Sequence, residues 1–388
     1  MGHKPAGQTL TLLILAVLSL SGCGEFVGFR STDGPETGLE SFRLYLSDDE
    51  LGTLADSLSY GTYASCRFEP AEVPEGPTGG GRGELRIRGF TSRMLPKMSY
   101  TLRWEETGEE YKIALDAGGD PWLSYALAMY TYHLAGLPHL EMSPIALYLN
   151  DEYMGYYNSL PLYNESVDDF FGEKGHLYKI RGFDLGKNVP AEEFSEKKFP
   201  DDDDFGPLNR YLVNAAHMSE SDWISWAEAN VHLEDLARYM VVRDFLGMAD
   251  TYETNFYVYA GAKYRILPWD NDHTYRYTPV GGDNALTRRM LESDAYARIY
   301  RDTFNALFLE PGEENLIGNM ALYTDNLYDK LQTAVQAEPW FYLTAADFEA
   351  EKQHIEDFLS DRVDSILADP GWYDFFVNNG PVPDLTGD

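Results

Sequence analysis

The chain has 388 residues, and its 30 Lys and Arg against 64 Asp and Glu give a formal charge of -34 at neutral pH. This much negative charge repels phosphate backbones and anionic lipid surfaces, so the composition excludes an electrostatic nucleic-acid-binding protein. Apolar residues make up 44% and aromatic residues 14% of the chain, more than a disordered protein carries. We therefore expect a folded acidic protein, and the length favours two domains or lobes.

The N-terminal segment resembles a bacterial lipoprotein signal. An apolar run over residues 10–18 is too short for the ~20 residues that a membrane span needs, and it ends in LSGC at residues 20–23. This ending resembles a lipobox, in which the Cys becomes the lipidated first residue. We expect residues 1–22 to be a signal peptide, Cys23 to be lipidated and residues 23–40 to form a tether. The alternative is a plain secretory signal with an incidental Cys.

Lipidation of Cys23 predicts a bacterial cell-envelope protein, held by lipid tails at the outer membrane or the cell surface. Gly24 does not look like an inner-membrane retention signal. The chain has 2 Cys, so with Cys23 modified Cys66 is the remaining thiol and no intramolecular disulfide can form. We expect Cys66 to act as a small buried hydrophobe and the protein to be a monomer.

Hydrophobic periodicity in the first half predicts a small sheet with one helix. A helix over residues 120–134 has Asp120 at its expected N-cap and Pro121 in its first turn. The other expected elements are a strand and a short helix within residues 41–63, antiparallel strands around residues 85–87 and 100–104, a hairpin over residues 144–157 turning at Asn150 and Asp151, and a strand over residues 177–180.

The second half is predicted to be mainly helical. A loop with four consecutive Asp, residues 201–204, precedes it; we expect a solvated loop there, with Ca²⁺ binding as the alternative. The expected elements are a long helix over residues 219–248, a hairpin over residues 255–270 turning at Gly261, and helices over residues 284–309, 313–337 and 345–367. The pattern predicts an α+β protein with a sheet-rich first lobe and a helical second lobe that contains the hairpin.

One group of polar residues in the second half has the pattern of a phosphoryl-transfer site. Hydrolase and P-loop signatures are absent. Asp250 ends the long helix, Asn255 follows five positions later, and Asp270 and Asp272 stand at the exit of the hairpin. Phosphoryl transfer needs a carboxylate to orient the hydroxyl, and an Asn and a second carboxylate to hold metal ions. By spacing alone, the alternative is a capping Asp, a turn Asn and a solvated loop.

Several separate motifs resemble those of the CotH kinases, secreted atypical members of the protein-kinase-like fold, over about residues 84–367. The matching segments are RGFTSR at residues 88–93 followed by PKMSY at residues 96–100, LNDEYMGYY at residues 149–157, LYK at residues 177–179, D-x-x-x-x-NFY at residues 250–257, and PWDND at residues 268–272. The resemblance implies an atypical two-lobed kinase-like fold, with an N-lobe over residues 41–183 and a helical C-lobe over residues 184–388.

The resemblance also implies roles for individual residues. Asp250 would be the catalytic carboxylate, Asn255 and Asp270 would bind Mg²⁺ or Mn²⁺, and Asp272 would lie in or near the metal site. Lys97 would contact phosphate, with a strand-edge lysine as the alternative. Further nucleotide- or phosphate-binding positions would be Arg88, Gly89 and Ser92 of a phosphate-covering loop, Arg103, and Lys179, for which flanking a strand is the equal alternative.

Some positions depart from the family pattern. Pro161 stands where a Glu is usual after the G-x-Y hairpin, and Glu165 is only a shifted substitute. Tyr125 stands where an Arg is common, and TY at residues 274–275 replaces the usual Phe-Gly. A lysine without its carboxylate partner would orient a nucleotide poorly.

Together these features predict an active kinase that transfers the γ-phosphoryl group of ATP to Ser or Thr of an exported protein. One alternative is a catalytically weak, kinase-like surface lipoprotein that acts in binding or adhesion. The other is a kinase-fold enzyme with different ATP-dependent chemistry, such as AMPylation or glutamylation.

Overall fold

A computed structural model of the chain describes residues 35–89, 95–118, 122–182, 190–248, 255–278, 280–281, 290–312, 315–340 and 342–383. The strands are β1 Glu40–Tyr45, β2 Ala64–Glu69, β3 Gly81–Ile87, β4 Tyr100–Glu106, β5 Glu109–Asp116, β6 Ser143–Leu149, β7 Glu152–Pro161, β8 His176–Ile180, β9 Ser195–Phe199, β10 Phe256–Ala260 and β11 Tyr264–Pro268. The helices are α1 Asp48–Tyr60, α2 Ser124–Leu134, α3 Ser166–Phe171, α4 Ala191–Phe194, α5 Gly206–His217, α6 Glu220–Asn230, α7 Leu233–Leu246, α8 Asp294–Phe304, α9 Ile317–Gln336, α10 Ala345–Leu367 and α11 Pro370–Asn378, with a π-helix at Asn305–Leu309.

The architecture is mixed α+β, and the chain forms two compact units that are discontinuous in sequence. The first unit lies within Met1–Asp120, Met142–Leu162 and Lys330–Asp347, and the second within Pro121–Glu141, Tyr163–Asp329 and Phe348–Asp388. This division differs from the single boundary expected at residue 183. Strand β8 belongs to the second unit because it pairs with β10, a strand about eighty positions later in the chain.

The first unit is built on a closed barrel in the strand order β1-β2-β3-β4-β5-β7-β6. The barrel closes through parallel pairing of β1 with β6, whereas the remaining neighbours are antiparallel. Alternate side chains of β2 are buried, as a strand with one face on a core requires. Sequence patterns predicted a small sheet rather than a barrel, because the closing pair joins segments about one hundred residues apart.

Local predictions in this unit are confirmed. Strands β3 and β4 pair antiparallel, and β6 and β7 form a hairpin with Asn150 and Asp151 at its turn. Both turn residues have positive φ, 51° and 65°, which is the backbone that a two-residue hairpin turn needs. Cys66 is a buried free thiol, as expected.

The second unit contains a four-stranded antiparallel sheet in the order β11-β10-β8-β9, with α7 in contact with β11 and α5 in contact with β10. The predicted hairpin is confirmed as β10 and β11, and the predicted strand at residues 177–180 is β8. The predicted helix at residues 345–367 is α10. None of the helices in the described part of the chain combines the length and the apolar character that a membrane span requires.

Two predicted helices have different limits. The helix expected from Asp120 begins at Ser124, and the backbone N–H groups of residues 122–124 donate to the distant Glu351 carboxylate. Asp120 itself lies outside the described residues.

The long helix expected over residues 219–248 is two helices, α6 and α7. Val231 leaves the helix to bridge Tyr264 of β11, and the next residue, His232, caps α7 by accepting a hydrogen bond from the Asp235 N–H. The apolar pattern runs through both helices, so periodicity alone could not reveal the break.

Candidate functional site

The predicted site residues fall into two groups, one in each compact unit. The second unit contains Asn255, Asp270, Asp272 and Lys179, and the first contains Arg88, Gly89, Lys97 and Arg103. Asp250, Ser92 and Cys23 lie outside the described residues.

Asn255 and Asp270 flank the open end of the β10–β11 hairpin. Phe256 pairs with Pro268 in the last register position, so Asn255 stands immediately before the pairing and Asp270 two residues after it. Opposite residues of an antiparallel pair lie about 5 Å apart, and the hairpin therefore brings these two predicted metal ligands to the same end of the sheet. Both are partly exposed.

Both residues also have a left-handed backbone, with φ of 60° at Asn255 and 56° at Asp270. A non-glycine residue in this region costs about 1 kcal/mol or more, and such residues concentrate at functional sites. The two positions with a left-handed backbone therefore stand on either side of the hairpin, one before β10 and one after β11.

Lys179 lies beside this end of the sheet. It is opposite Tyr257 in the β8–β10 register, and its Nζ is 4.2 Å from the centre of the Trp269 ring, next to Asp270 in the chain. A cation over an indole face is held electrostatically. The structure thus brings Lys179 together with Asn255 and Asp270; contact with a nucleotide stays a prediction.

The residue between the two aspartates, Asn271, was not singled out by sequence reasoning. Its side chain is 1% exposed, and neither its amide oxygen nor its amide nitrogen has a hydrogen-bond partner. An unpaired buried amide is unfavourable by about 1 to 3 kcal/mol, and most buried polar groups in proteins avoid that state.

The donor set at the hairpin suits a hard divalent cation. Asn255 offers an amide oxygen, and Asp270 and Asp272 offer carboxylates, the ligand types that Mg²⁺ and Mn²⁺ take. No group of three or more His, Cys, Asp or Glu side chains that could hold a metal occurs among the described residues. The predicted ligands at the hairpin include two described carboxylates, Asp270 and Asp272. The third ligand, Asn255, is an amide, and Asp250 lies outside the described residues.

The segment after Asp272 is fastened to the end of helix α7. The Tyr275 N–H donates to the Leu246 carbonyl at 2.6 Å, and α7 ends at Gly247 with φ of 63°. A Cβ at position 247 would overlap the carbonyl oxygen of Arg276, so glycine is needed both for the left-handed cap and for this close approach. These contacts fix the end of α7, which precedes Asp250 in the chain, against residues 275–276.

In the first unit, Lys97 is a buried cation. It is 2% exposed, and its Nζ donates to the Glu338 carboxylate at 3.1 Å, to the Tyr156 carbonyl at 2.6 Å and to the Gly118 carbonyl at 2.5 Å. These contacts use the three N–H donors of an ammonium group. Phosphate contact by Lys97 stays a prediction, and a phosphate oxygen would have to replace one of the three acceptors.

Glu338 is a partner that sequence reasoning missed. Because Pro161 stands at the usual Glu position, the sequence predicts that the lysine lacks a carboxylate partner, unless Glu165 substitutes for it. In the structure the carboxylate partner of Lys97 is Glu338, and Glu165 is exposed. Nothing in the residues around position 338 reveals the pair, because the two partners are 241 positions apart. Burial lowers the pKa of Lys97 to about 8 and raises that of Glu338.

The G-x-Y hairpin receives the Glu338 carboxylate. Gly155, with φ of 106°, lies against it, since a Cβ there would overlap Glu338 Oε1, and the next N–H, of Tyr156, donates to Glu338 Oε2 at 3.1 Å. Trp340 fastens the same segment by donating from Nε1 to the Met154 carbonyl at 2.8 Å. The glycine of this motif thus makes room for a carboxylate from the C-terminal part of the chain.

The other predicted residues of the first unit lie on β3 and β4 or beside them. Arg88 follows β3, and its N–H donates to the Ser99 carbonyl at 2.9 Å. Gly89 has φ of 97°, which suits a turn after the strand. Arg103 on β4 forms ion pairs with Glu84 and Glu110, so its charge is shared with carboxylates on neighbouring strands. Nucleotide binding by these three residues stays a prediction.

Comparison with known proteins identifies a family and distant structural relatives, one of which is described here. The family model described as CotH kinase protein matches residues 85–366. No curated protein matches the chain. Among solved structures, a crystal structure of a proinflammatory kinase, CtkA, of Helicobacter pylori is similar over 69% of this chain and 88% of that chain, with 13% sequence identity and a TM-score of 0.28.

Proposed function

The chain belongs to the CotH kinase family, and on this premise we propose that it is an active kinase with the two-lobed, protein-kinase-like fold. It transfers the γ-phosphoryl group of ATP to a Ser or Thr hydroxyl of an exported protein. Mg²⁺ or Mn²⁺ is the metal that the site requires. In this proposal the first unit, which contains the barrel, is the nucleotide-binding lobe, and the second unit contains the catalytic and metal-binding residues.

The observation that carries this proposal is the placement of Asn255 and Asp270 at one end of the β10–β11 hairpin, both with positive φ. These two residues hold the divalent ion, with Asp272 close by, and Asp250 orients the acceptor hydroxyl and takes its proton. The ion, when bound, neutralises charge on the transferred phosphoryl group. Strained backbone at both ligands is the kind of feature that proteins keep where geometry decides activity.

The buried pair of Lys97 and Glu338 favours the kinase over a binding or adhesion protein. Two sequence features favour a catalytically weak protein, namely the expected exported location, where ATP is scarce, and the altered region of the lysine's carboxylate partner. The first unit has a carboxylate within 3.1 Å of Lys97. A kinase lysine must be held by an acidic partner before it can orient phosphates, and Glu338 is positioned to do this.

The location in the cell follows from the N-terminal segment. A lipid on Cys23 would anchor the enzyme to a membrane of the cell envelope, at the outer membrane or the cell surface, without any spanning helix. The acceptor is then an exported protein. With a formal charge of -34, the enzyme attracts basic or neutral acceptors more readily than acidic ones.

The test uses the expected mature chain, residues 23–388 with Cys23→Ser, incubated with ATP and Mn²⁺ or Mg²⁺ and analysed by intact mass. Phosphorylation adds about 80 Da to the enzyme or to an added acceptor, whereas AMPylation adds about 329 Da. We expect the smaller addition with wild type and its loss in Asn255→Ala and Asp270→Asn. Asp364→Asn on exposed helix surface is the matched control and should keep full activity.

Absence of any mass addition with either metal, in a folded wild-type protein, would mean that the chain is not a kinase under these conditions and would favour the binding role. Equal activity in Asp270→Asn and in the control would remove Asp270 from the metal site.

A further inference from the structure

Helix α10 carries a buried cation. Along its apolar face, Ile355, Phe358, Leu359 and Ile366 are buried, and Arg362 occupies the same stripe. Arg362 is 2% exposed although most arginines lie at protein surfaces. A full positive charge at an apolar stripe position needs specific acceptors, since removing it from water is costly.

Three carbonyl acceptors of Arg362 belong to two other segments of the second unit. Its Nε donates to the Phe245 carbonyl at 2.9 Å, and its Nη2 donates to the carbonyls of Asp244, at 2.6 Å, and Thr278, at 2.9 Å. Asp244 and Phe245 are in the last turn of α7, where carbonyls lack partners within the helix and where a cation is favourable. Thr278 follows Asp272 of the candidate site by six positions.

Other contacts join the same two segments. Besides the bond from Tyr275 to Leu246, the His354 Nε2 of α10 donates to the Tyr275 carbonyl at 2.8 Å. The Asp244 carboxylate accepts from the Gly281 N–H at 3.1 Å and from the Tyr300 hydroxyl at 2.7 Å. The end of α7 and the described residues 275–278 and 280–281 are thus held at several points. The Phe358 ring packs against both segments, at Phe245 and Tyr275, and Arg362 contacts both through hydrogen bonds.

We infer that Arg362 is a positioning residue of the candidate site. It fixes the end of α7, which leads to Asp250, relative to residues 275–281, which follow Asp270 and Asp272. The guanidinium suits this role because its rigid planar fork directs several donors at once, whereas a lysine has one nitrogen on a flexible stem. The expected effect on catalysis rests on the proposed function, whereas the hydrogen bonds from Arg362 to the end of α7 and to Thr278 are a property of the fold.

The experiment compares wild type with Arg362→Lys and His354→Ala, using Arg298→Lys on the exposed face of α8 as the matched control. Hydrogen–deuterium exchange is measured for peptides that cover residues 244–248 and 274–281. In Arg362→Lys we expect both peptides to exchange at least about 10-fold faster, with the β10–β11 hairpin unchanged. In His354→Ala we expect the increase in the second peptide alone, because the His354 hydrogen bond is to the Tyr275 carbonyl in that segment.

Phosphoryl transfer by the same variants gives the functional readout. Misplacement of the two loops should lower kcat of Arg362→Lys at least about 10-fold and raise its half-saturating metal concentration, while ATP affinity at saturating metal changes less. Arg298→Lys should behave as wild type in both assays.

Each outcome is decisive. Unchanged exchange in folded Arg362→Lys overturns the positioning role, whether or not the protein is a kinase. Faster exchange with wild-type kcat shows that the fastening does not serve the site, and this also overturns it. If exchange is faster in Arg362→Lys but the wild type transfers no phosphoryl group, the proposed function is refuted. The structural role of Arg362 in holding the two segments together is then still supported. If Arg362→Lys does not fold, His354→Ala decides: faster exchange confined to residues 274–281 supports the arrangement, and no change contradicts it.

Discussion

The ion pair of Lys97 and Glu338 is buried, and we expect it to add little net stability although loss of either partner would destabilise the protein. Each side chain is almost completely removed from water, at 1% and 0% exposure. Desolvation of this kind cancels much of the attraction between the charges, so the pair adds little net stability, but loss of one partner leaves the other charge buried alone. The pair is therefore better explained by what it positions than by the stability that it gives.

A double-mutant cycle tests this explanation. Lys97→Met and Glu338→Gln should each lower the free energy of unfolding by about 3 to 5 kcal/mol, because each leaves one buried ionisable group without its partner. The double variant should lose less than the sum of the two single losses, by a coupling of at least about 1 kcal/mol. Urea denaturation of the four proteins measures these values. Strictly additive losses would show that the two side chains do not interact.

The same pair predicts a pH dependence of stability. Lys97 keeps its proton in the unfolded chain up to about pH 10.4, whereas in the folded protein its pKa is about 8. Between these pH values the unfolded chain binds more protons, so the free energy of unfolding should rise with pH, by up to about 1.4 kcal/mol per pH unit. The measurement is the difference between wild type and the double variant from pH 8 to 10. A difference that falls with pH would contradict the assigned pKa.

Cys66 gives a second prediction from burial. Burial raises the pKa of its thiol to about 12, so almost no thiolate is present at pH 8. The chain has 2 cysteines, so Cys66 is the remaining thiol in the mature chain with Cys23→Ser. We expect no reaction with Ellman's reagent in the native protein and one thiol per chain in 6 M guanidinium chloride. Rapid stoichiometric reaction of the native protein would place Cys66 at the surface.

At the scale of elements, two helix ends allow a matched comparison. Gly247 after α7 and Gly172 after α3 both cap their helices in the left-handed region, with φ of 63° and 67°. A Cβ at Gly172 would meet open space, whereas a Cβ at Gly247 would overlap the backbone of Arg276. The two glycines therefore share the conformational demand and differ in the close approach.

Alanine at each position should separate these two demands. Gly172→Ala should cost about 1 kcal/mol, the price of an alanine in the left-handed region. Gly247→Ala should cost at least about 2 kcal/mol more, because residues 275–281 must move away from α7. Denaturant unfolding of both variants gives the comparison. Equal losses would mean that the contact between Gly247 and Arg276 relaxes freely.

Elements with local signals were predictable from the sequence, and elements defined by distant contacts were not. The Asn150-Asp151 turn, the hairpin around Gly261 and α10 carry their own turn residues or periodicity. The start of α2 was misplaced because its cap is Glu351, more than two hundred residues away. The break between α6 and α7 follows from a bridge to β11, which no local pattern records.

At the scale of the whole molecule, the same distinction separates the two groups of predicted residues, one in each compact unit. The proximity of Asn255 and Asp270 could be predicted from the sequence because one short hairpin connects them, whereas their role as metal ligands stays a prediction. The partner of Lys97 was not found, since Glu338 reaches the barrel from the C-terminal part of the chain. Arg362 did leave a trace, as a charge on an apolar helix stripe, and such positions merit attention in other sequences of this family.

The formal charge of -34 makes phosphate binding depend on a few local features rather than on the protein as a whole. An acidic protein binds a nucleotide when a divalent ion and nearby cations such as Lys179 offset the charge at one place. In the proposed kinase, Asp270 and Asp272 would be among the acidic residues that hold that ion. The nucleotide should consequently bind only together with its metal.

Calorimetric titration of the mature chain with ATP examines this dependence most directly. With Mn²⁺ or Mg²⁺ present, we predict saturable binding to wild type and to the control Asp364→Asn. EDTA should abolish this binding, and Asp270→Asn should weaken it at least about 10-fold, because one ligand of the ion is lost. Binding that persists in EDTA, or equal affinity in Asp270→Asn and wild type, would contradict a metal-dependent nucleotide site at the end of the β10–β11 hairpin.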